Sequence, residues 1–350
     1  MLETLFYAAC ACTWSGEALT IAGWTAILSR RSVDNGVRPR FSVVVCFHNE
    51  AAVVERCLDA LAALDYPDFE WVLVDDRSCD GTSEILRRWA SNRPRAKYVR
   101  LDGDDPSPKK RALLAGAAAA EGEWLALTDA DCAPPPDWLH ALARAIRPHA
   151  PLVAGYSPYR IEKRGLLGFF IRMETEKTAL EYLGRSALGW HYMAVGRNMA
   201  VRRQTLLDDG FQTHRDRLSG SDDLLARRHA VAPCIEAHVP SLPPRSWREW
   251  WNQKTRHVSA SAHYAPATQA ALATFQLGRP VLWAFALTQG RWEGLAVLWI
   301  LQTTLYILAR KSLSLRPNML QLAIFDGLLT VYHLTVAPTG RFRRPTWKKT

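Results

Sequence analysis

Between residues 41 and 139 the chain alternates short β-branched runs with longer stretches of helical periodicity. The runs at 42–47, 69–75, 97–101 and 124–128 predict strands, and 50–64, 82–90 and 109–120 predict the helices between them. That alternation belongs to βαβ units, so the expected fold class is α/β, a mainly parallel sheet flanked by helices. Past Pro134 the pattern becomes irregular. Further strands are expected at 153–159 and 192–202 with a helix at 165–183 between them, and 247–264 reads as an aromatic-rich amphipathic helix. Apolar stretches follow at 270–289, 294–309 and 319–337, and another opens the chain at 4–28.

The opening stretch carries Glu17, and its positive residues, Arg30 and Arg31, follow it where a cleavable signal would have them in front. It therefore reads as a retained anchor with the following domain in the cytoplasm, although Trp14-Ser15-Gly16-Glu17 also suits an interfacial helix. The resulting organisation is a membrane anchor at 1–30, a catalytic domain at 40–245, an interfacial helix at 246–265, membrane segments at 266–340 and a basic tail at 341–350. Three C-terminal crossings would leave either the Arg310 loop or the basic tail outside, against the positive-inside tendency. One stretch should then not cross, and 270–289 is the expected one because Arg279-Pro280 interrupts it.

Composition adjusts this picture modestly. Of 350 residues 48% are hydrophobic, enough for one core plus membrane segments, and the formal charge is +10. The basic residues crowd beside apolar stretches (Arg30, Arg38, Arg40; Arg310, Lys311, Arg316; Arg341 to Lys349), which favours contact with membrane lipids over a nucleic-acid groove. No nucleic acid is expected as a partner. Seven cysteines without a CxxC pair, and ten scattered histidines, indicate neither a disulfide framework nor a zinc site.

Three acidic constellations carry the candidate chemistry. Strand 69–75 runs into Asp75-Asp76-Arg-Ser-Cys-Asp-Gly-Thr82, which could equally be an ordinary βα loop. Strand 124–128 delivers Asp129 and Asp131, two hard-oxygen donors at a spacing that puts both on one side of an extended chain. Such a pair suits Mg²⁺ or Mn²⁺ that keeps positions open for phosphate oxygens. Chance and helix capping also produce Asp-x-Asp, but Asp137 after Pro134 to Pro136 already supplies the next helix start. Finally, Ser219-Gly-Ser-Asp222-Asp223 either caps the helix that follows or provides a general base separate from the metal ligands. Ligands of open α/β sheets bind at the carboxyl ends of strands, so these groups, with His48-Asn49-Glu50, should meet in one crevice.

In their order and spacing these segments resemble the family-2 glycosyltransferases with the GT-A fold. Ser42 to Glu50 is similar to the family's opening strand and its NE turn, Asp75 to Thr82 to its DDxSxDGT block, and Lys109 to Gly116 to its GKxxALNxG helix. Thr128 to Cys132 stands at the DxD position, Val195 to Ala200 resembles the strand before the acceptor loop, and Asp222-Asp223 stands where Glu-Asp is usual. Gln253-Lys-Thr-Arg-His257 resembles the QxxRW signature of membrane-bound members, and the Trp347-Lys348 tail is similar to theirs.

The resemblance implies an inverting, metal-dependent transfer from a nucleotide-diphosphate sugar, a UDP-sugar being favoured, to a lipid or glycan acceptor at the cell membrane. It assigns Asp223, with Asp222 beside it, to catalysis, and Asp131 with Asp129 to Mg²⁺ or Mn²⁺. Asp76 would bind the nucleobase, Cys46, Asn49 and Glu50 would complete the nucleotide pocket, Lys109 would face the diphosphate, and Gln253 and Arg256 would face diphosphate or acceptor. Two departures stand out. Pro108 replaces the glycine before Lys109, and His257 replaces the final tryptophan, which favours a single transfer over processive polysaccharide synthesis. A sugar nucleotidyltransferase would carry a glycine-rich loop where His48-Asn49-Glu50 stands, and an inactive scaffold with this fold would have eroded acidic positions.

Overall fold

A computed structural model describes residues 1–30, 36–162, 165–211, 220–316 and 318–342. Arg31, Ser219 and the tail residues 343–350, with Trp347 and Lys348, lie outside the described residues. The chain divides into two compact units: residues 1–31, 163–192 and 244–350 form a helical unit, and 32–162 with 193–243 form an α/β unit.

The α/β unit is built on a seven-stranded sheet in the order β3-β2-β1-β4-β6-β5-β7. Strands β1 (Phe41–Phe47), β2 (Phe69–Asp76), β3 (Ala96–Leu101) and β4 (Trp124–Asp129) are parallel, and β6 (Met199–Arg202) runs antiparallel to both β4 and β5 (Leu152–Tyr156). β7 (Val231–His238) closes the edge in parallel with β5. The helices of this unit are α2 (Val54–Ala62), α3 (Thr82–Ser91), α4 (Pro108–Ala119), α5 (Trp138–Ala145), α7 (Arg203–Asp209) and α8 (Asp223–Arg228). Val43, Val44 and Val45 are all fully buried, as expected of a central strand covered on both faces. Gly116 brings α4 close to the sheet, since a Cβ there would lie 2.5 Å from Val44 Cγ1.

The four early strands and their helices agree with the sequence expectation to within a few residues. The segment 192–202 differs: only Met199–Arg202 forms a strand. Ahead of it Gly196 to Asn198 make a turn, in which buried Asn198 gives its amide hydrogens to the carbonyls of Tyr156 (2.6 Å) and Ala237 (2.9 Å). β7 and α7 carry no strong periodicity and were not expected, whereas α8 is the helix that follows the second acidic pair.

The helical unit comprises α1 (Leu2–Ser29), α6 (Leu166–Ala187), α9 (Trp247–Ser261), α10 (Pro266–Gln289), α11 (Glu293–Ala309) and α12 (Met319–Phe342). Trp14-Ser15-Gly16-Glu17 does not interrupt α1. Glu17 is buried and meets Lys177 (3.0 Å) and Arg279 (3.3 Å), while Gly23 lies so close to α6 that a Cβ would sit 2.0 Å from the Gly184 carbonyl oxygen.

Among the described residues α10 and α12 are long and apolar enough to cross a membrane, whereas α11 is shorter. α10 runs unbroken through Pro280, and the Arg279 charge is buried between Glu17 and Asp326 (2.9 Å) inside the unit. On α9, Trp250 and Lys254 pack within the helical unit. Trp250 stacks edge-on against Phe170, and Lys254 pairs with Glu174 at 2.5 Å, while Trp247 at 47% exposure is the open tryptophan.

Candidate active site

β2 and β4 leave β1 on opposite sides, so the direction of winding reverses there, the place where open α/β sheets bind ligands. In register Cys46 of β1 faces Asp129 of β4 and Val74 of β2, which puts all three strand ends at one level.

The β1–α2 turn is laced to the β2–α3 loop. The N–H groups of Asn49 and Glu50 donate to Ser78 Oγ (3.0 Å) and Thr82 Oγ1 (2.9 Å), and the Cys79 N–H donates to Asn49 Oδ1 (2.9 Å). Asn49 and Arg77 both hold positive φ, +54° and +61°, which turns each loop sharply over its strand. Asn49 thus contributes its amide to loop structure. His48 Nδ1 lies 2.6 Å from the Asp76 carbonyl oxygen and ties the same two strand ends.

Successive strand residues face opposite ways, and this separates the two aspartates of β2. Asp75 is fully buried and accepts hydrogen bonds from the Ser78 N–H (2.9 Å), Tyr98 OH (2.9 Å), Arg100 (2.8 Å) and the Ser83 hydroxyl. Burial pushes its pKa up, but the hydrogen bonds from Ser83, Ser78 and Tyr98 outweigh this and hold it below the usual range. Asp75 is therefore a structural carboxylate. Asp76 pairs with Arg77 (3.0 Å) and Arg111 (2.9 Å) and so presents its carboxylate clamped between two guanidiniums.

At the end of β4, Asp129 Oδ1 sits 2.8 Å from Lys109 Nζ on the first turn of α4. Pro108 begins that helix, where its missing N–H costs nothing, and Lys109 reaches the strand end from there. Burial lowers the lysine pKa, and the charges of Asp129 and Asp222 more than reverse this, pushing it up to about 12. Two residues on, Asp131 Oδ2 accepts from Ser241 Oγ (3.1 Å), on the segment that leaves β7 and bridges back to Cys132. Burial pushes the Cys46 thiol up to about 12, so it is a neutral group near the end of β1, beside Asp129 of β4.

Asp222 caps α8: its Oδ1 accepts the Asp223 N–H (3.1 Å) and its Oδ2 accepts the Gly196 N–H (2.8 Å). With both oxygens engaged it orients the turn, and Asp223 begins the helix largely buried. Asp222, Lys109, Ser221, Gly196 and Phe211 line one pocket of the α/β unit, so the α4 lysine and the first aspartate of the second acidic pair come together. Gln253 and Arg256 lie on α9 of the helical unit. Sequence reasoning passed over Arg111, Ser241 and Asn198. Arg111 was visible in the Lys109-Lys-Arg run, but Ser241 sits in a loop without any motif.

Asp129 and Asp131 supply hard oxygen donors of the kind Mg²⁺ or Mn²⁺ takes, with other positions left for phosphate oxygens. Among the described residues no set of three or more His, Cys, Asp or Glu could hold a metal without such outside ligands. The chain fits an ion that arrives with a diphosphate.

Residues 42–211 match the model of glycosyl transferase family 2. The probable glycosyltransferase YdaM of Bacillus subtilis is 25% identical over 239 residues, covering 62% of this chain and 54% of that protein. Glycosyltransferase AglE of Haloferax volcanii is 33% identical over 103 residues, 29% of this chain and 33% of its own length. The chain thus spans about half the length, or less, of these curated relatives. Among solved structures the mannosyltransferase PcManGT from Pyrobaculum calidifontis, in complex with GDP-Man and Mn2+, has a TM-score of 0.57 at 22% identity, covering 95% of this chain and 99% of that one. At that identity the likeness establishes the GT-A-type fold.

Proposed function

We propose that this chain, whose residues 42–211 belong to glycosyl transferase family 2, transfers a sugar from a nucleotide-diphosphate sugar to an acceptor hydroxyl with inversion. The observation that carries the reading is the meeting of Asp129, Lys109 and Asp222 at the strand ends where the sheet reverses its winding. Asp223 takes the proton of the acceptor hydroxyl, whose oxygen bonds to the anomeric carbon as the bond to the diphosphate breaks and nucleoside diphosphate leaves. Asp222 holds the turn that aims Asp223, and Asp76 meets the nucleobase beside Cys46, Asn49 and Glu50. Asp131 and Asp129 would hold Mg²⁺ or Mn²⁺, which neutralises charge on the departing diphosphate.

The donor is proposed to be a UDP-sugar, with a GDP-sugar the competitor suggested by the mannosyltransferase complex. The cell membrane is the proposed location, with α10 and α12 as candidate spans, and the cytoplasmic side is assigned to the α/β unit from Arg30 and Arg31, which follow the first apolar stretch. A lipid or other membrane-associated acceptor follows from that setting, and Gln253 and Arg256 are proposed to meet diphosphate or acceptor.

Detergent-purified protein incubated with a panel of nucleotide-diphosphate sugars tests the assignment. One donor should be turned over, with activity lost on chelation and restored by Mg²⁺ or Mn²⁺. Failure to consume any donor in the presence of membrane lipids contradicts it.

A further inference from the structure

We propose that Lys109 is a resident counter-ion which competes with the divalent cation for Asp129, so that the metal enters only as the lysine leaves. The inference rests on reading Asp129 and Asp131 as the metal carboxylates. The Lys109 ammonium stands 2.8 Å from Asp129 Oδ1, one of the two oxygens that this carboxylate would offer a metal. An ammonium and a divalent ion on one oxygen would repel strongly in a partly buried site, so the two arrangements exclude each other. The pair is open to solvent on one side: the two side chains keep 30% and 35% of their surface exposed, and a lysine ammonium sits on a flexible four-carbon stem.

The neighbourhood indicates why a cation is kept there. The pocket that Lys109 lines also contains Asp222. Lys109 thus stands within electrostatic reach of two carboxylates, Asp129 and Asp222, whose negative charge favours a cation between them. Pro108 fixes the start of α4, so Lys109 leaves from a defined point on the helix and can exchange Asp129 for another anion within its reach. A diphosphate arriving with the metal is such an anion. The lysine therefore makes metal binding weak until a phosphate-bearing donor offers the ammonium an alternative partner.

Binding of Mn²⁺ alone to the full chain in detergent, followed by electron paramagnetic resonance, tests this without reference to turnover. Lys109→Gln should bind Mn²⁺ about fivefold more tightly than wild type, the scale set by loss of a half-exposed ion pair. Lys109→Arg keeps the cation and should bind no tighter than wild type. Arg111→Gln removes the same charge from Asp76 instead, and should stay within about twofold. Equal affinity in wild type and Lys109→Gln, or equal tightening by Lys109→Gln and Arg111→Gln, overturns the proposal. Asp129→Asn separates the two readings. If it abolishes Mn²⁺ binding while Lys109→Gln has no effect, the competition fails and the metal site stands, whereas unchanged Mn²⁺ binding in Asp129→Asn overturns both.

Discussion

The Gly196 N–H donates to Asp222 Oδ2 at 2.8 Å, joining the turn before β6 to the start of α8. The glycine makes room for this contact, because a Cβ would lie 3.1 Å from that same carboxylate oxygen and the aspartate would have to shift. Asp222 thus acts on the conformation of the turn, and in the proposed mechanism its neighbour Asp223 is the group for proton transfer.

Asp222→Ala removes both a helix cap and a partly buried hydrogen bond, so it should destabilise the α/β unit by about 2 kcal/mol. Asp223→Asn should leave stability within about 0.5 kcal/mol of wild type, as a near-isosteric change. Thermal unfolding of the two variants checks the division, and equal losses would contradict it.

Asp75 links stability to acid. Its folded pKa lies below the unfolded value of about 4, so its contribution is fully present above that pH and is lost as pH falls through the folded value. Asp75→Ala, which leaves Arg100 and the buried donors unmatched, should cost about 3 kcal/mol at pH 7. Denaturant titrations of wild type and variant should converge as pH drops below 4. A deficit that does not shrink in acid would argue that packing, and not charge, is what Asp75 supplies.

Glu17 should matter equally in the helical unit, where it faces both Lys177 and Arg279. Glu17→Ala leaves two buried cations without their shared anion and should cost about 3 kcal/mol, read as a lowered midpoint in detergent thermal unfolding. Glu17→Asp should recover part of the loss. Unchanged midpoints in both variants would mean that the network does not bind α1 to its neighbours.

Most of the sheet was legible because its strands are covered on both faces and read as unbroken apolar runs, as in Val43-Val44-Val45. The edge was harder. β7 carries Pro233 and Glu236 and shows only partial alternation, so no periodicity announced it. At the site, motif order picked out Asp129, Asp131, Lys109 and the second acidic pair, but motifs do not distinguish what each oxygen binds. Asp75 and Asp76 read alike in sequence, yet one is buried under four donors and the other clamped by two arginines. The packing of α9 was not legible for a related reason: Trp250 suits a headgroup layer or a core equally well by composition, and only the structure shows its contacts with Phe170 and Tyr332.

The central claim divides metal and nucleotide binding at Asp131 from proton removal at Asp223. The direct measurement pairs nucleoside diphosphate binding in the presence of Mn²⁺ with sugar transfer, for Asp131→Asn and Asp223→Asn side by side. Asp223→Asn should keep wild-type binding and lose transfer by at least about a hundredfold, whereas Asp131→Asn should lose both. Wild-type transfer by Asp223→Asn, or equal loss of nucleotide affinity in the two variants, would contradict the account.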